Sequence, residues 1–268
     1  MTMSKSTPAT GHKPLLVLKI GGSMLDELEK EFLQSVKELK EHYDFIVVHG
    51  AGPDISSKLK ALNVNAPFIQ GLRKTTKPAM EVVETVLSGT KNRELTGKFI
   101  EEGVHAVGLK GCDGMIRADY LDYDAYGYVG TSPEVETELL SHLLSGGFLP
   151  VVAPLGRTES GDIVNINADT AAAGIARALD AEKLIFVTDV PGVMKNKEVL
   201  TKLTSRDINQ LIEEKTIDGG MIPKVRGAEE ALSETLEEVM ITSGKQPIIQ
   251  NNAWQGTIIH KERKETMT

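Results

Sequence analysis

The feature that most constrains this chain is a junction that recurs along it, where an apolar run breaks into a glycine-rich turn. Leu15 to Ile20 runs into Lys19-Ile-Gly-Gly-Ser23, Phe45 to Val48 runs into His49-Gly-Ala-Gly-Pro53, and a third such turn stands at Gly219-Gly-Met-Ile-Pro-Lys224. Short, continuously apolar runs are the pattern of strands buried on both faces, as in a parallel sheet. Each of the three turns is expected to follow such a strand. Glycines let the backbone approach an anion closely and aim N–H groups at it, and Pro53 falls where the first position of a helix is expected. A nearby lysine adds a mobile positive charge, so the three turns read together as an anion cradle. Phosphoryl transfer asks for little else, because its catalysis is mainly positioning and neutralisation of charge.

The rest of the chain alternates in the same way. Asp26 to His42 carries apolar residues at helical spacing through Leu28, Phe32, Val36 and Leu39, and a second helix is expected from Pro53 to about Leu62. Pro67 to Thr76 reads as a hairpin or edge segment, Lys77 to Glu102 as one long helix closed by Gly103, and His105 to Leu109 as a strand. A hairpin region follows, from Gly111 to Gly130. Val135 to Leu144 then reads as a helix and Phe148 to Leu155 as a strand. An alanine-rich helix is expected after Asn165-Ile-Asn-Ala-Asp169, and a strand over Lys183 to Val187. Two helices near Ser205–Glu214 and Met221–Glu234, and strands at Glu238–Thr242 and Gly256–His260, complete the series. The fold class is therefore α/β, a three-layer α/β/α sandwich around a mostly parallel open sheet, with ligands at the carboxyl ends of the strands. A lobe boundary is expected near residue 182, giving lobes 1–182 and 183–268.

Composition restricts the partners. With 30 Lys and Arg against 38 Asp and Glu the net charge is −8, which argues against nucleic acid or an anionic membrane and requires any anionic ligand to be held by local placement of cations. A single cysteine, Cys112, excludes an internal disulfide and any multi-cysteine metal site, and is expected to be a buried filler. No apolar run reaches the length of a membrane span, and residues 1–13 are polar, so a cytoplasmic protein is expected.

Neither G-x-x-x-x-G-K-[ST] nor a G-x-G-x-x-G after the first strand is present, which removes the main support for P-loop and dinucleotide-binding readings. A single glycine turn is more often only a tight connection; the ordered combination is what carries information. Taken with Gly71-Leu-Arg-Lys-Thr75, Val107-Gly-Leu-Lys-Gly-Cys-Asp-Gly114, N-x-N-A-D and Thr188-Asp-Val-Pro-Gly192, it resembles the amino acid kinase family from Leu15 to Ile259, and within it the branch acting on N-acetyl-L-glutamate. The resemblance implies the amino acid kinase fold and transfer of the γ-phosphoryl of ATP to the side-chain carboxylate of that substrate, a step of arginine biosynthesis.

By the same resemblance Lys19 and Lys224 are the two catalytic lysines and Asp169 holds both of them, although alone Asp169 could equally cap the helix after it. Arg73 is implied to take the substrate α-carboxylate in its guanidinium fork, and Asn165 and Asn167 to contact the acetylamino group. The backbone around Gly22, Ala51 and Gly52 would hold the phosphoryl group. Ala51 departs from the family's usual glycine, and its methyl group is expected to restrict positive φ and to occupy space beside the phosphate or substrate. Nucleotide binding is implied for Gly21, for Asp189, Val190, Pro191, Gly192, Val193 and Met194, and for Thr216, Ile217 and Asp218, with Mg2+ held mainly by phosphates and water. A carrier-protein-linked aminoadipate or glutamate kinase, and an idle sensor on the same fold, are the competing readings. The net acidity leans against the first, and the presence of all three of Lys19, Asp169 and Lys224 against the second. Residues 1–13 are too few and too broken by Pro8 and Gly11 for an amphipathic helix, and Asn251 to Thr257 departs from the glycine-rich form associated with arginine-sensitive members. A homodimer insensitive to arginine is expected.

Overall fold

The computed structural model describes residues 13–261. Eight strands form the central sheet in the order Lys202–Thr204, Thr257–His260, Glu238–Ser243, Lys183–Thr188, Leu15–Ile20, Asp44–His49, Leu149–Ala153, Ala106–Lys110. All neighbouring pairs are parallel except Glu238–Ser243 with Thr257–His260. The strands on one side of Leu15–Ile20 come from before residue 182 and those on the other from after it. Parallel pairing puts the turns after Ile20, His49 and Thr188 on one edge of the sheet, so segments far apart in the chain meet there.

Alternation along each strand feeds two cores, and helices cover both faces. Val17, Ile46, Val48, Val152, Leu184 and Ile241 pack against the helices Glu138–Ser145, Ala168–Ala178, Ser205–Glu213 and Met221–Ala231. Leu16, Leu18, Val47, Val151, Ile185 and Met240 pack against Lys30–Leu39 and Asn92–Glu101. The expected three-layer sandwich is therefore present. A third cluster joins the helix Gly52–Ala61 to Lys77–Glu84, and a small four-stranded sheet (Ile163–Asn165, Leu155–Arg157, Ile116–Arg117, Glu134–Val135) lies outside the main one.

Several expected elements differ. The long helix over 77–102 is interrupted by a π-helical turn, Thr85–Lys91. Ala79 and Val83 before it and Leu87 within it pack with the helix Gly52–Ala61, whereas Leu95 and Phe99 after it pack on the sheet. A wider turn rotates the apolar stripe between those two surfaces. The helix expected from Asp26 begins at Lys30, after a short 3-10 turn at Gly22–Met24, and the strand expected over Phe148–Leu155 divides between the main and the small sheet. The third glycine turn does not follow a strand: Gly219 and Gly220 join the helices Ser205–Glu213 and Met221–Ala231. The small hairpins Met194–Lys195 with Glu198–Val199 and Ile249–Gln250 with Ala253–Trp254 lacked a readable alternation, and the second turns through Asn251 and Asn252 at positive φ. The expectation for residues 1–13 lies, up to residue 12, outside the described residues. Among the described residues no helix is long and apolar enough to cross a membrane.

Candidate active site

Lys19 stands near the end of the central strand, in register with Phe186 on one side and Val48 on the other. Its side chain shares the face of Val17, so it points towards the helix Ala168–Ala178 rather than into solvent. The residue it meets there is Asp169, whose Oδ1 lies 2.9 Å from Lys19 Nζ. That oxygen is buried, and the lysine is its one partner among the described residues. Asp169 is free to make this pair because Asn167, not Asp169, caps the helix: Asn167 Oδ1 accepts the N–H groups of Asp169 and Thr170. A carboxylate in the first turn is also favoured by the helix dipole.

Lys224 enters from the helix Met221–Ala231, and the expected arrangement differs here. Its Nζ donates to Asp189 Oδ1 at 2.7 Å and makes no pair with Asp169. This hydrogen bond holds the Asp189 carboxyl below the usual carboxylate range. Asp189 follows directly on the strand Lys183–Thr188, so its reach to Lys224 is set by strand–helix packing that the sequence does not encode locally. Both ion pairs line one cleft of about 210 Å3, with Gly21, Ser23, Phe186, Thr188 and Pro223 among the other residues of its wall. Two lysines, each oriented by its own carboxylate, thus face one cavity at the carboxyl edge of the sheet.

The ridge expected to hold the phosphoryl group is made of backbone. A Cβ built on Gly22 would lie 2.7 Å from the nitrogen of Gly52 and 2.9 Å from that of Ala51, so the first two glycine turns touch main chain to main chain. Only glycine permits that approach. No acceptor meets the N–H groups of Gly22, Ala51 or Gly52 among the described residues. They form a donor row at the start of the helix Gly52–Ala61. Ala51 has φ −156°, which any residue adopts, and the residue is 2% exposed, a member of the buried apolar cluster that holds Ile55, Ala79 and Val83. The methyl therefore faces the core, a correction to the expectation that it crowds the phosphate.

Arg73 lies along the same helix. Its Nη2 donates to Gly52 O at 3.1 Å and to Ser56 Oγ at 2.6 Å, and its guanidinium stacks 4.5 Å from the Phe68 ring centroid. Nε and Nη1 meet no acceptor among the described residues, leaving one edge of the fork for a carboxylate. Thr75 Oγ1 donates to Arg73 O and accepts from Asn165 Nδ2, which joins Asn165 to the arginine. The remaining nucleotide-segment residues divide. Val193 and Ile217 bury their side chains in the core, so they can offer a ligand only backbone. Gly192, at φ +149°, passes so close to Thr257 Oγ1 that a Cβ would clash at 2.6 Å, which fixes the turn carrying Val190 and Pro191. Met194 is exposed on its hairpin, and Thr216 and Asp218 lie in the turn leading to Gly219.

Ser23, Phe186, Thr188 and Pro223 were not singled out from the sequence. Ser23, Thr188 and Pro223 had a signal, their places in K-x-G-G-S, Thr188-Asp-Val-Pro-Gly192 and Gly219-Gly-Met-Ile-Pro-Lys224, but Phe186 reaches the cleft through strand register alone. The amino acid kinase family profile matches residues 14–243. Acetylglutamate kinase of Geobacillus kaustophilus is 47% identical over 249 residues, covering 92% of this chain and 96% of that protein. Acetylglutamate kinase of Bacillus licheniformis is 47% identical over 251 residues, 93% and 97% of the two chains. Among solved structures, a protein of Streptococcus mutans UA159 superposes with a TM-score of 0.78 at 34% identity, covering 92% of this chain and 98% of its own.

Proposed function

The chain belongs to the amino acid kinase family, and we propose that it transfers the γ-phosphoryl group of ATP to the side-chain carboxylate of N-acetyl-L-glutamate, giving the acyl phosphate and ADP. The observation that carries this reading is the pairing of Lys19 with Asp169 and of Lys224 with Asp189 across one cleft, beside the backbone donors of Gly22, Ala51 and Gly52. A carboxylate oxygen forms a bond to the γ-phosphorus as the bond from that phosphorus to the bridging oxygen of ADP breaks. The nucleophile is already an anion at neutral pH, so no general base is needed. What opposes the step is repulsion between two anions, and fixed cations with preorganised N–H donors offset it. Arg73, with its free guanidinium edge, would hold the α-carboxylate, with Asn165 and Asn167 at the acetylamino end.

The donor set at the cleft, two carboxylates each engaged by a lysine, suits a Mg2+ ion carried on nucleotide phosphates rather than a cage of protein ligands. Its chemistry there would be to neutralise and orient the phosphates. In this proposal residues 1–182 bind the amino acid and 183–268 the nucleotide, and the protein is a cytoplasmic homodimer insensitive to arginine. Support for the dimer is the open sheet edge at Ala106–Lys110, flanked by the exposed apolar side chains Ile100 and Phe148. Hydroxylamine trapping of the product, with N-acetyl-L-glutamate compared against free glutamate, tests the reaction. Faster trapping with free glutamate would overturn the substrate, and a hexamer in light scattering, or arginine inhibition, the assembly.

A further inference from the structure

Behind the phosphate ridge lies a buried polar pair that the phosphoryl-transfer chemistry leaves without a part. His49, the last residue of its strand, is fully buried, and so is Asn92, the first residue after the π-helical turn Thr85–Lys91. His49 Nδ1 lies 3.1 Å from Gly50 O, and His49 Nε2 lies 3.1 Å from Asn92 Nδ2. The amide orientation of Asn92 is set independently: Nδ2 donates to Val151 O at 2.8 Å, and Oδ1 accepts from Arg93 Nη2. Three acceptors lie around Nδ2, Val151 O at 2.8 Å, His49 Nε2 at 3.1 Å and Leu109 O at 3.5 Å; the two nearest take its two hydrogens, so His49 Nε2 is the acceptor nitrogen. The ring proton is left on Nδ1, and its acceptor is the Gly50 carbonyl. Room for the Asn92 amide is left by Gly108 on the edge strand, where a Cβ would fall 2.1 Å from Asn92 Oδ1.

The carbonyl of Gly50 and the N–H of Ala51 belong to one trans peptide plane and point in opposite directions. We propose that Asn92 and His49 are positioning residues for phosphoryl transfer: Asn92 fixes the His49 tautomer, and His49 Nδ1–H turns the Gly50 carbonyl inward so that the Ala51 N–H faces the transferring group. This deepens the proposed function and rests on it. The neighbouring Lys91 holds the same helix start from behind, with Nζ 3.1 Å from Asp54 Oδ1 in the first turn of Gly52–Ala61, 3.0 Å from Asp26 and 2.9 Å from Glu94. At the end of the π-helical turn the consecutive side chains Lys91 and Asn92 thus reach the second glycine turn and Asp26, which follows the first.

Two measurements test this. In the first, the imidazole nitrogens of His49 are read by 15N–1H correlation NMR in the unmodified protein, independently of any substrate. Protonation at Nδ1 is expected, and a ring protonated at Nε2 overturns the proposal even if the kinase reading stands. In the second, His49→Asn keeps a donor where Nδ1 stood, whereas His49→Gln keeps an acceptor where Nε2 stood and loses the donor to Gly50. With ATP and N-acetyl-L-glutamate, His49→Gln should lose about 10²-fold in kcat with both KM values unchanged, the loss typical of one misplaced transition-state donor. His49→Asn should stay within about 5-fold at a similar melting temperature. Equal losses in the two variants, or losses that follow the melting temperature, overturn the proposal. An unmodified protein that shows Nδ1–H but does not turn over N-acetyl-L-glutamate would instead count against the substrate reading.

Discussion

The glycines on the two sides of the cleft are glycines for opposite reasons. At Gly22 and Gly50 the two turns pack backbone on backbone, and added Cβ atoms would meet main-chain atoms at 2.7 Å and 3.2 Å. At Gly219 and Gly220 nothing lies within 4 Å. The lysines follow the same division: Lys19 is 17% exposed and pinned to a buried oxygen of Asp169, whereas Lys224 is 30% exposed and pinned to the well-exposed Asp189. One side is a rigid donor ridge built into the sheet edge. The other is an open arm whose lysine can change partners at little cost, because an exposed ion pair contributes little stability.

The sharpest way to break this contrast is to put the same methyl group on each side. Gly22→Ala should lower turnover about 10³-fold and destabilise the protein by about 1–3 kcal/mol, since backbone rather than a flexible side chain must give way. Gly220→Ala, at an ordinary helical φ of −68° with open space around it, should leave both turnover and melting temperature nearly unchanged. Hydroxamate assays and thermal melts on the pair decide the matter: equal damage would show that the Lys224 side is as closely fitted as the ridge.

Removing each lysine sharpens the same comparison. Lys19→Ala and Lys224→Ala should each lower kcat by roughly 10²- to 10³-fold. Only Lys19→Ala should also cost stability, about 1–3 kcal/mol, because it leaves the buried Asp169 oxygen without a partner. Denaturant titrations giving the same loss for both variants would remove the distinction.

A pH test reads the ridge alone. Burial pulls the His49 pKa from 6.5 down to about 4. Between those values the unfolded chain binds a proton that the fold does not. The contribution of this group is therefore complete above about 6.5 and is lost as the pH falls towards 4, at up to about 1.4 kcal/mol per pH unit. Denaturation free energies at pH 7, 6 and 5 should fall less steeply for His49→Asn than for the unmodified protein, while Gly220→Ala keeps the full slope. Identical slopes in all three would contradict a neutral, buried His49.

The smallest expected effect concerns Ala51. Because its methyl group is packed in the core at a φ open to any residue, Ala51→Gly should lose about 1 kcal/mol of stability through the lost methyl and added chain entropy, with turnover unchanged. A faster enzyme would mean that the methyl does press on the reacting group.

Much of this was legible along the chain. The apolar runs, their alternation with helical patterns and the first two glycine turns gave the three-layer α/β architecture, because burial of a strand on both faces leaves a compositional mark at each residue. Lys19, Arg73 and Lys224 could be singled out for the same reason, standing beside such turns or in the motifs of the resemblance. The exchange of roles between Asn167 and Asp169 was not legible: both are good capping residues, and which one caps depends on where Lys19 lies across the sheet. Nor was the break in the helix over 77–102, since a π-helical turn adds one residue without interrupting the apolar count.

The sequence by itself determined the class of fold and pointed to the residue types of the candidate site: glycine turns and lysines that suit an anion and, through the family resemblance, an arginine fork that suits a carboxylate. Tertiary structure alone decided who partners whom. Asp169 meets Lys19 and not Lys224, Asp189 takes Lys224, the Ala51 methyl turns to the core, and His49 and Asn92 come together from positions 43 residues apart. The physical reason is that local propensity and hydrophobic pattern act over a few residues. These pairings instead depend on strand register, helix placement and the exclusion of water between surfaces that the chain brings together only when it has folded.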